Sequence, residues 1–269
     1  MLEKAIQIAT QIDSDPIGEL DSTSLKEIIS LIDYTTLNDT DTIDSVRNWM
    51  MESINVMTAA EAYCGGWCVY SEFVPTLVEN RNQLPISIAC VSGNFPSGKA
   101  MSQIKVEESV YAESIGAEEI DVVINKGWAN EGSFAKIEKE LLLIKGSLNN
   151  AHLKVIMETG LLDPEQILHV SEAAIRAGAD FIKTSTGKTE NGASLEAVSI
   201  MCHVIKEHYD QTGYRVGIKP SGGISTAKEA AKYIQLVRVI LGDDWINNKL
   251  FRIGASRLLQ NAINDLNDL

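Results

Sequence analysis

The sequence predicts one α/β domain folded as a (β/α)8, or TIM, barrel, and three observations lead to this prediction. The chain has 269 residues, close to the roughly 250 that such a barrel typically needs. Eight short apolar runs alternate with stretches of helical periodicity, the pattern of repeated β-α-β units. No linker or change in composition divides the chain, which favours one closed barrel. The alternative, a doubly wound open sheet, normally has a glycine-rich turn after its first strand, and residues 33–38 contain no glycine.

The predicted strands are short apolar runs bounded by polar or turn-forming residues. They are Leu31–Asp33, Gly66–Tyr70, Ile86–Val91, Glu119–Ile124, Leu153–Glu158, Asp180–Thr184, Arg215–Lys219 and Leu250–Ala255. Several intervening segments show the apolar periodicity of helices. These are Ile104–Ile115, Ala135–Leu148, Pro164–Ala177, Leu195–Tyr209, Thr226–Leu241 and, after the last strand, Ser256–Asn267. We expect residues 1–30 to add a helical layer to the barrel, within a single domain that spans residues 1–269.

Composition and charge exclude several functional classes. Hydrophobic residues make up 45% and charged residues 22% of the chain, as in ordinary globular proteins with a complete core. The net charge of −14 is opposite to what a nucleic-acid-binding or anionic-membrane-binding surface requires. The sequence shows no signal peptide and no apolar stretch of membrane-spanning length, so we expect a cytoplasmic protein. The four cysteines lack the spacing of a metal site or disulfide framework, and neither is predicted.

Four charged side chains are predicted to point into the barrel from neighbouring strands. Side chains alternate between the two faces of a strand, and the apolar set of each strand suits the face that packs on helices. The same alternation directs four charged residues inward: Asp121, Lys154, Lys183 and Lys219. Charged groups in a protein interior usually form ion pairs or take part in chemistry. Because the active sites of such barrels lie at the carboxyl ends of the strands, the sequence predicts a catalytic centre there.

The presence of neighbouring inward lysines favours catalysis through an imine. A lysine amine attacks a carbonyl only in its neutral form, which a second ammonium and partial burial both favour. Lys219 is expected beside Lys183, where Phe181 and Val123 provide apolar walls. Asp121 could pass protons between water and the reacting carbon. The sequence therefore predicts Lys183 as the nucleophile, with Asp121 and Lys219 as its partners.

The loops after the last three strands predict a phosphate site. Glycine lets backbone N–H groups approach an anion, and a helix that begins at such a loop adds a favourable dipole. The loops after strands seven and eight are the usual phosphate site of barrels of this kind. The candidate phosphate ligands are Thr186, Gly187, Lys188, Gly222, Gly223, Gly254, Ser256 and Arg257. The expected ligand is a small phosphorylated molecule.

Eight segments resemble the deoxyribose-phosphate aldolase family, and together they span about residues 30–260. They read LIDYTTLND at 31–39, CVYSEFVP at 68–75, NFPSG at 94–98, GAEEIDVVIN at 116–125, LKVIMETG at 153–160, AGADFIKTSTGKT at 177–189, VGIKPSGGIST at 216–226 and FRIGASRLL at 251–259. The resemblance implies a class I aldolase of deoxyribonucleotide catabolism. Such an enzyme needs no cofactor and reversibly cleaves 2-deoxyribose 5-phosphate to acetaldehyde and glyceraldehyde 3-phosphate.

The resemblance also implies roles for individual residues. Lys183 would be the Schiff-base lysine, Lys219 would tune its proton affinity, and Asp121 would be the proton relay. Asp33 and Lys154 would line the same pocket. Relatives often carry a basic residue where this chain has Ser225 and a serine where it has Arg257. We therefore expect the positive charge to have moved to the loop after strand eight.

Three alternatives remain open from the sequence alone. The chain could be another imine-forming phosphosugar aldolase or transaldolase, a phosphosugar isomerase, or a phosphosugar-binding regulator without catalysis. An isomerase would need a carboxylate base and has no use for a lysine pair. A regulator would be expected to lack one of Asp121, Lys183 and Lys219, and all three are present. A homodimer is common among proteins of this appearance.

Overall fold

The computed structural model describes all 269 residues and contains one sheet of eight parallel strands. The strands are β1 (Ile32–Thr35), β2 (Gly66–Val69), β3 (Ser87–Ser92), β4 (Glu119–Val123), β5 (His152–Ile156), β6 (Phe181–Lys183), β7 (Gly217–Lys219) and β8 (Ile253–Ala255). They pair in the order β7-β6-β5-β4-β3-β2-β1-β8. Two parallel bridges, Ile218 to Phe251 and Ser221 to Gly254, bring the two edges together and close the sheet. The predicted (β/α)8 barrel is confirmed.

Eleven α-helices accompany the strands. They are α1 (Leu2–Ser14), α2 (Ser22–Ser30), α3 (Ile43–Ala60), α4 (Val74–Asn80), α5 (Ser102–Ser114), α6 (Lys126–Asn130), α7 (Phe134–Ser147), α8 (Pro164–Arg176), α9 (Leu195–Thr212), α10 (Ala227–Leu241) and α11 (Leu258–Asn267). The predicted helices are all present, with ends within a few residues of those expected. No helix has both the length and the apolar character needed to cross a membrane.

The amino-terminal residues form the expected helical layer. Helix α1 packs on α9 and α10, and α2 packs on α10 and α11. Three alanine and isoleucine side chains of α1 are buried in this contact, and the Ser199 hydroxyl of α9 donates to the carbonyl oxygen of Ala5 at 2.8 Å. The layer therefore covers the outer helices α9, α10 and α11 of the barrel.

The core has two chemically different parts. Apolar side chains fill the space between strands and helices, among them Ile120, Val122 and Ile182. Inside the barrel, a small apolar group lies beside a much larger set of buried charged side chains. Gly66 of β2 makes room for these charges, because a Cβ there would lie 2.6 Å from Asp33 Oδ1. The four inward charges predicted from strand alternation are therefore all buried.

Candidate active site

Three charged side chains from β4, β6 and β7 meet towards the carboxyl ends of the strands. Lys183 and Lys219 are register partners on adjacent strands, and both donate to the same oxygen of Asp121. The distance to Asp121 Oδ2 is 2.6 Å from Lys183 Nζ and 2.8 Å from Lys219 Nζ. The second oxygen, Oδ1, is buried and accepts no hydrogen bond. The structure thus brings together the three residues that the sequence predicts to be catalytic.

Beneath this trio, further buried ion pairs continue towards the amino ends of the strands. Lys154 Nζ of β5 lies 3.0 Å from Asp33 Oδ2 and also donates to Glu119. Asp33 forms ion pairs with Lys219 and Arg252 as well. Arg252 reaches Glu119 at 3.0 Å. We call this connected set the charge cluster, and its members are Asp33, Glu119, Asp121, Lys154, Lys183, Lys219 and Arg252.

The ion pairs of the charge cluster fix the protonation state of several members. Burial alone would favour the neutral forms. In Lys219 that effect is outweighed by Asp121 and Asp33, whose carboxylates raise the pKa of the lysine. Likewise, against the effect of burial, nearby lysines lower the pKa of Asp121. Lysines together with Arg252 hold the pKa of Asp33 well below its usual range. Near neutral pH, Lys219 is therefore an ammonium, and Asp121 and Asp33 are carboxylates.

A cysteine of β2 touches the same carboxylate. Cys68 Sγ lies 3.9 Å from Asp121 Oδ2. Burial first, and then the charge of Asp121, raise the pKa of this thiol. The thiol therefore stays protonated at neutral pH, and a protonated buried thiol behaves as a small apolar group with little nucleophilic character.

A cleft of about 320 Å³ opens at the carboxyl ends of β1, β6, β7 and β8. Of the charge cluster, only Lys183 reaches its wall. Every predicted phosphate ligand also lies on the wall: Thr186, Gly187, Lys188, Gly222, Gly223, Gly254, Ser256 and Arg257. Asp33 and Lys154, predicted to line this pocket, are instead fully buried deeper in the barrel and do not reach the wall. Both are connected to Lys183 on the wall only through Lys219 and Asp121.

The loops around the cleft have features expected of an anion site. Gly222 has a φ of 86°, a left-handed value that glycine adopts without strain. Arg257 is exposed next to the start of α11 and lines the cleft. Ser225, in contrast, does not line it and bonds instead to Glu229 at the start of α10. Of the two positions at which this chain differs from its relatives, 225 and 257, the one with the positive charge therefore faces the cleft.

A comparison with known families identifies the chain. The model of the DeoC/LacD family aldolases matches residues 27–244. The chain belongs to this aldolase family. The aldolase is also 41% identical, over 246 residues, to a protein of Caenorhabditis elegans that is provisionally named deoxyribose-phosphate aldolase. The match covers 90% of this chain and 81% of that protein. The protein is accordingly an enzyme that makes or breaks carbon–carbon bonds, as the resemblance in its motifs implies.

Solved structures share the fold of the aldolase. A provisionally named deoxyribose-phosphate aldolase from Coccidioides immitis superposes with a TM-score of 0.75 at 25% identity, over 100% of this chain and 97% of that one. The deoxyribose phosphate aldolase of Aeropyrum pernix gives a TM-score of 0.70 at 23% identity, over 99% and 98%. The Aeropyrum protein is a tetramer. The homodimer expected for this chain stays a prediction.

Two members of the charge cluster were not singled out from the sequence. Glu119 lies two residues before Asp121 on β4, so strand alternation points it to the same face. Arg252 lies two residues before Gly254 and therefore shares the inward side of β8. The alternation rule could have found both residues if it had been applied to the amino ends of the strands. The partners of each residue lie on other strands, and the sequence does not indicate them.

A buried glutamate secures one of the cleft loops. Glu158 follows β5 with a φ of 59°, in the left-handed region. Its Oε1 accepts from the backbone N–H of Thr186 at 3.0 Å, and its Oε2 accepts from the Thr186 hydroxyl at 2.7 Å. Lys126 Nζ lies 3.3 Å from the same carboxylate. Glu158 thereby ties the loop after β6, which carries three of the predicted phosphate ligands, to the end of β5.

Proposed function

We propose that this aldolase reversibly cleaves 2-deoxyribose 5-phosphate to acetaldehyde and glyceraldehyde 3-phosphate through an imine on Lys183. One observation carries the proposal: the only cleft-facing member of the charge cluster is a lysine, and it shares its cleft with three candidate phosphate loops. A sugar phosphate whose phosphate bound these loops would place its aldehyde end towards Lys183. The cleft of about 320 Å³ suits a ligand of this size.

The proposed reaction has four steps. The neutral Lys183 amine attacks the C1 aldehyde, and loss of water from the adduct leaves an imine. The protonated imine then withdraws electrons from the C2–C3 bond, which breaks as the C3 hydroxyl gives up its proton. Glyceraldehyde 3-phosphate departs, and the enamine that remains takes up a proton at C2. Water hydrolyses the resulting imine, releasing acetaldehyde and the free amine, so the water lost in the first step is regained.

Asp121 and Lys219 are the groups that would move protons in these steps. Asp121 is ionised but does not reach the cleft wall, so it would receive the proton of the C3 hydroxyl through water or through the Lys183 amine. Lys219 shares Oδ2 of that carboxylate and can return a proton through it to the enamine carbon. Proton transfer by positioned side chains typically contributes about 10²–10⁴-fold to a rate. The remaining members of the charge cluster would set the electrostatic environment without touching the substrate.

The residues of the cleft weigh against the alternatives. A phosphosugar isomerase requires a carboxylate base at the substrate carbon, and no Asp or Glu lies on the cleft wall. Another imine-forming aldolase, or a transaldolase, would use the same lysine but would take a different carbonyl donor. A phosphosugar-binding regulator would form no covalent bond with an aldehyde. An experiment that detects the imine and identifies its donor separates all of these.

The test is to trap the imine chemically. The protein is incubated with acetaldehyde and borohydride, which reduces an imine to a stable amine, and the modified peptide is located by mass spectrometry. We expect one ethyl group on the peptide that contains Lys183, and we expect it to be absent from Lys183→Met. Lys136→Met, which removes an exposed lysine, serves as the control and should retain the adduct.

The other outcomes are equally informative. An adduct on Lys219 would exchange the roles of the two lysines while keeping the aldolase mechanism. No adduct with acetaldehyde, but one with a ketose phosphate, would indicate a transaldolase-like donor. A folded protein that formed no adduct with either would contradict the proposal.

A further inference from the structure

We infer that Arg252 promotes the imine step from the amino ends of the strands, because it gives the charge cluster one more cation than carboxylates. It is a positioning residue, since it touches neither the cleft nor any reacting group. The inference rests on the function proposed above and deepens it, because it says what keeps the Lys183 amine reactive beside a carboxylate.

The contacts of Arg252 are those of a deeply buried, fully engaged guanidinium. One terminal nitrogen pairs with Asp33 Oδ1, and the other lies 3.0 Å from Glu119 Oε1 and 3.4 Å from Ser87 Oγ. Its Nε donates to the carbonyl oxygen of Asn248. Glu119 and Ser87 are the first residues of β4 and β3. Arg252 therefore lies at the end of the barrel that is opposite the cleft.

The absence of a side chain at Gly66 leaves space for the guanidinium of Arg252. A Cβ on Gly66 would lie 2.7 Å from the terminal nitrogen of Arg252 that pairs with Asp33. Any other residue at position 66 would therefore force the guanidinium and the carboxylate to move. A buried arginine is expensive to desolvate, and apolar residues of similar volume often stabilise a core better. A role in charge regulation explains why the barrel holds an arginine at this point.

An unbroken series of ion pairs joins Arg252 to the reactive amine. Arg252 pairs with Asp33, and Asp33 pairs with Lys219. Lys219 shares Asp121 Oδ2 with Lys183 at 2.8 and 2.6 Å. The charge of Arg252 can therefore act on Lys183 through a medium in which water screens little.

Counting the charges shows what Arg252 adds. The cluster contains four basic groups and three carboxylates. With all seven groups ionised, one positive charge is left uncompensated, and buried net charge is costly. Loss of one proton restores balance. Lys183 is the only basic member on the cleft wall, so it is the member that can exchange this proton with water or substrate.

The groups that surround Lys183 agree with this count. Asp121 on β4 pairs with Lys183, but Lys219 on β7 competes for the same oxygen. The remaining neighbour on β2 is the Cys68 thiol, whose raised pKa keeps it uncharged. Asp33 and Glu119 raise the pKa of Arg252 despite its burial, so its positive charge persists. Outside the cluster, the cleft wall carries two further cations, on Lys188 and Arg257.

The experiment measures the rate of borohydride trapping with acetaldehyde as a function of pH. In Arg252→Met the cluster loses a cation, so the rate profile should move to higher pH by about one unit. At pH 7 this would be a roughly tenfold slower trapping. Glu119→Gln removes a carboxylate from the same contact and should move the profile in the opposite direction. The double variant should lie between the two, and Arg252→Lys should stay near the parent profile.

If Arg252 had only a structural role, Arg252→Met and Glu119→Gln would not shift the pH profile of trapping in opposite directions. If both variants lowered trapping at every pH without moving the profile, Arg252 would be only a structural residue, and the inference would be wrong. If Arg252→Met failed to fold, judged by its thermal unfolding, Arg252→Gln, which keeps hydrogen-bond donors but carries no charge, would replace it and should show the same shift to higher pH. If the parent protein formed no adduct, the proposed function would fail first, which separates the two conclusions.

Discussion

The side chain of Asp121 has two oxygens with very different surroundings. Oδ2 accepts hydrogen bonds from both Lys183 and Lys219, whereas the buried Oδ1 accepts none and lies 3.9 Å from Lys154 Nζ. A buried carboxylate oxygen without a hydrogen bond is unusual and costs free energy in a resting protein. Such an oxygen has an open position for a hydrogen bond from a water molecule that relays protons between Asp121 and the cleft. The asymmetry supports the proton-relay role proposed for Asp121.

The neutral variant Asp121→Asn should separate the imine step from the aldol step. Its amide cannot accept a proton, so turnover of 2-deoxyribose 5-phosphate should fall by about 100-fold or more. Removal of a negative charge leaves the charge cluster more positive, so borohydride trapping of acetaldehyde should persist at neutral pH. Both rates are measured on the same preparation, with Asp44→Asn on the surface of α3 as the control. Equal loss of trapping and turnover would contradict a specific relay role.

At the scale of the elements, the geometry of the cleft depends on how its loops are attached to the strands and helices. The strands position the charge cluster, but the candidate phosphate ligands come from loops, and each loop needs its own anchor. The loop after β6 is tied down by Glu158 through both the backbone and the hydroxyl of Thr186. The loop after β7 runs into α10, where Thr226 and Glu229 form a capping box. These attachments hold the candidate anion-binding groups in place before a substrate arrives.

Removal of the Glu158 anchor should weaken substrate binding more than chemistry. In Glu158→Ala the loop loses its bonds to Thr186, so the KM for the phosphorylated substrate should rise by roughly tenfold, equal to about 1.4 kcal/mol. The kcat should change much less, because the charge cluster is untouched. Glu190→Ala, at an exposed position in the same loop, is the matched control and should leave both constants unchanged. Trapping with acetaldehyde, which has no phosphate, should be unaffected in either variant.

At the scale of the whole molecule, the barrel and its inward charges could be predicted because both follow from periodicity within a strand. Ion-pair partners could not, since they join residues far apart in sequence, such as Asp33 and Arg252. The depth of a side chain along the barrel axis could not be predicted from the sequence either. The sequence predicted Asp33 and Lys154 in the pocket, whereas they lie beneath it. Strand alternation predicts which face of the sheet a side chain points to. It does not predict that other side chains, here Lys183 and Lys219, lie between it and the cleft.

The charge cluster also makes the free energy of unfolding depend on pH in the acid range. The pKa values of Asp33 and Asp121 are depressed in the folded protein, so both carboxylates bind fewer protons there than in the unfolded chain. Their contribution is therefore complete above the ordinary carboxyl pKa of about 3.9 and is lost as the pH falls towards the depressed values. The free energy of unfolding should accordingly decline below about pH 4 through these two groups.

The variant Asp33→Asn tests this link between the barrel interior and the stability of the molecule. It leaves Arg252, Lys154 and Lys219 without one carboxylate, so at pH 7 the free energy of unfolding should drop by about 3 kcal/mol or more. Because the titrating group is gone, the decline below pH 4 should also be shallower than in the parent protein. Urea unfolding at pH 7, 4 and 3 gives both quantities, with Asp210→Asn, in an exposed ion pair, as the control. If the free energy of unfolding declined equally with falling pH in the parent and in Asp33→Asn, acid would destabilise the molecule through other groups, and the prediction would be wrong.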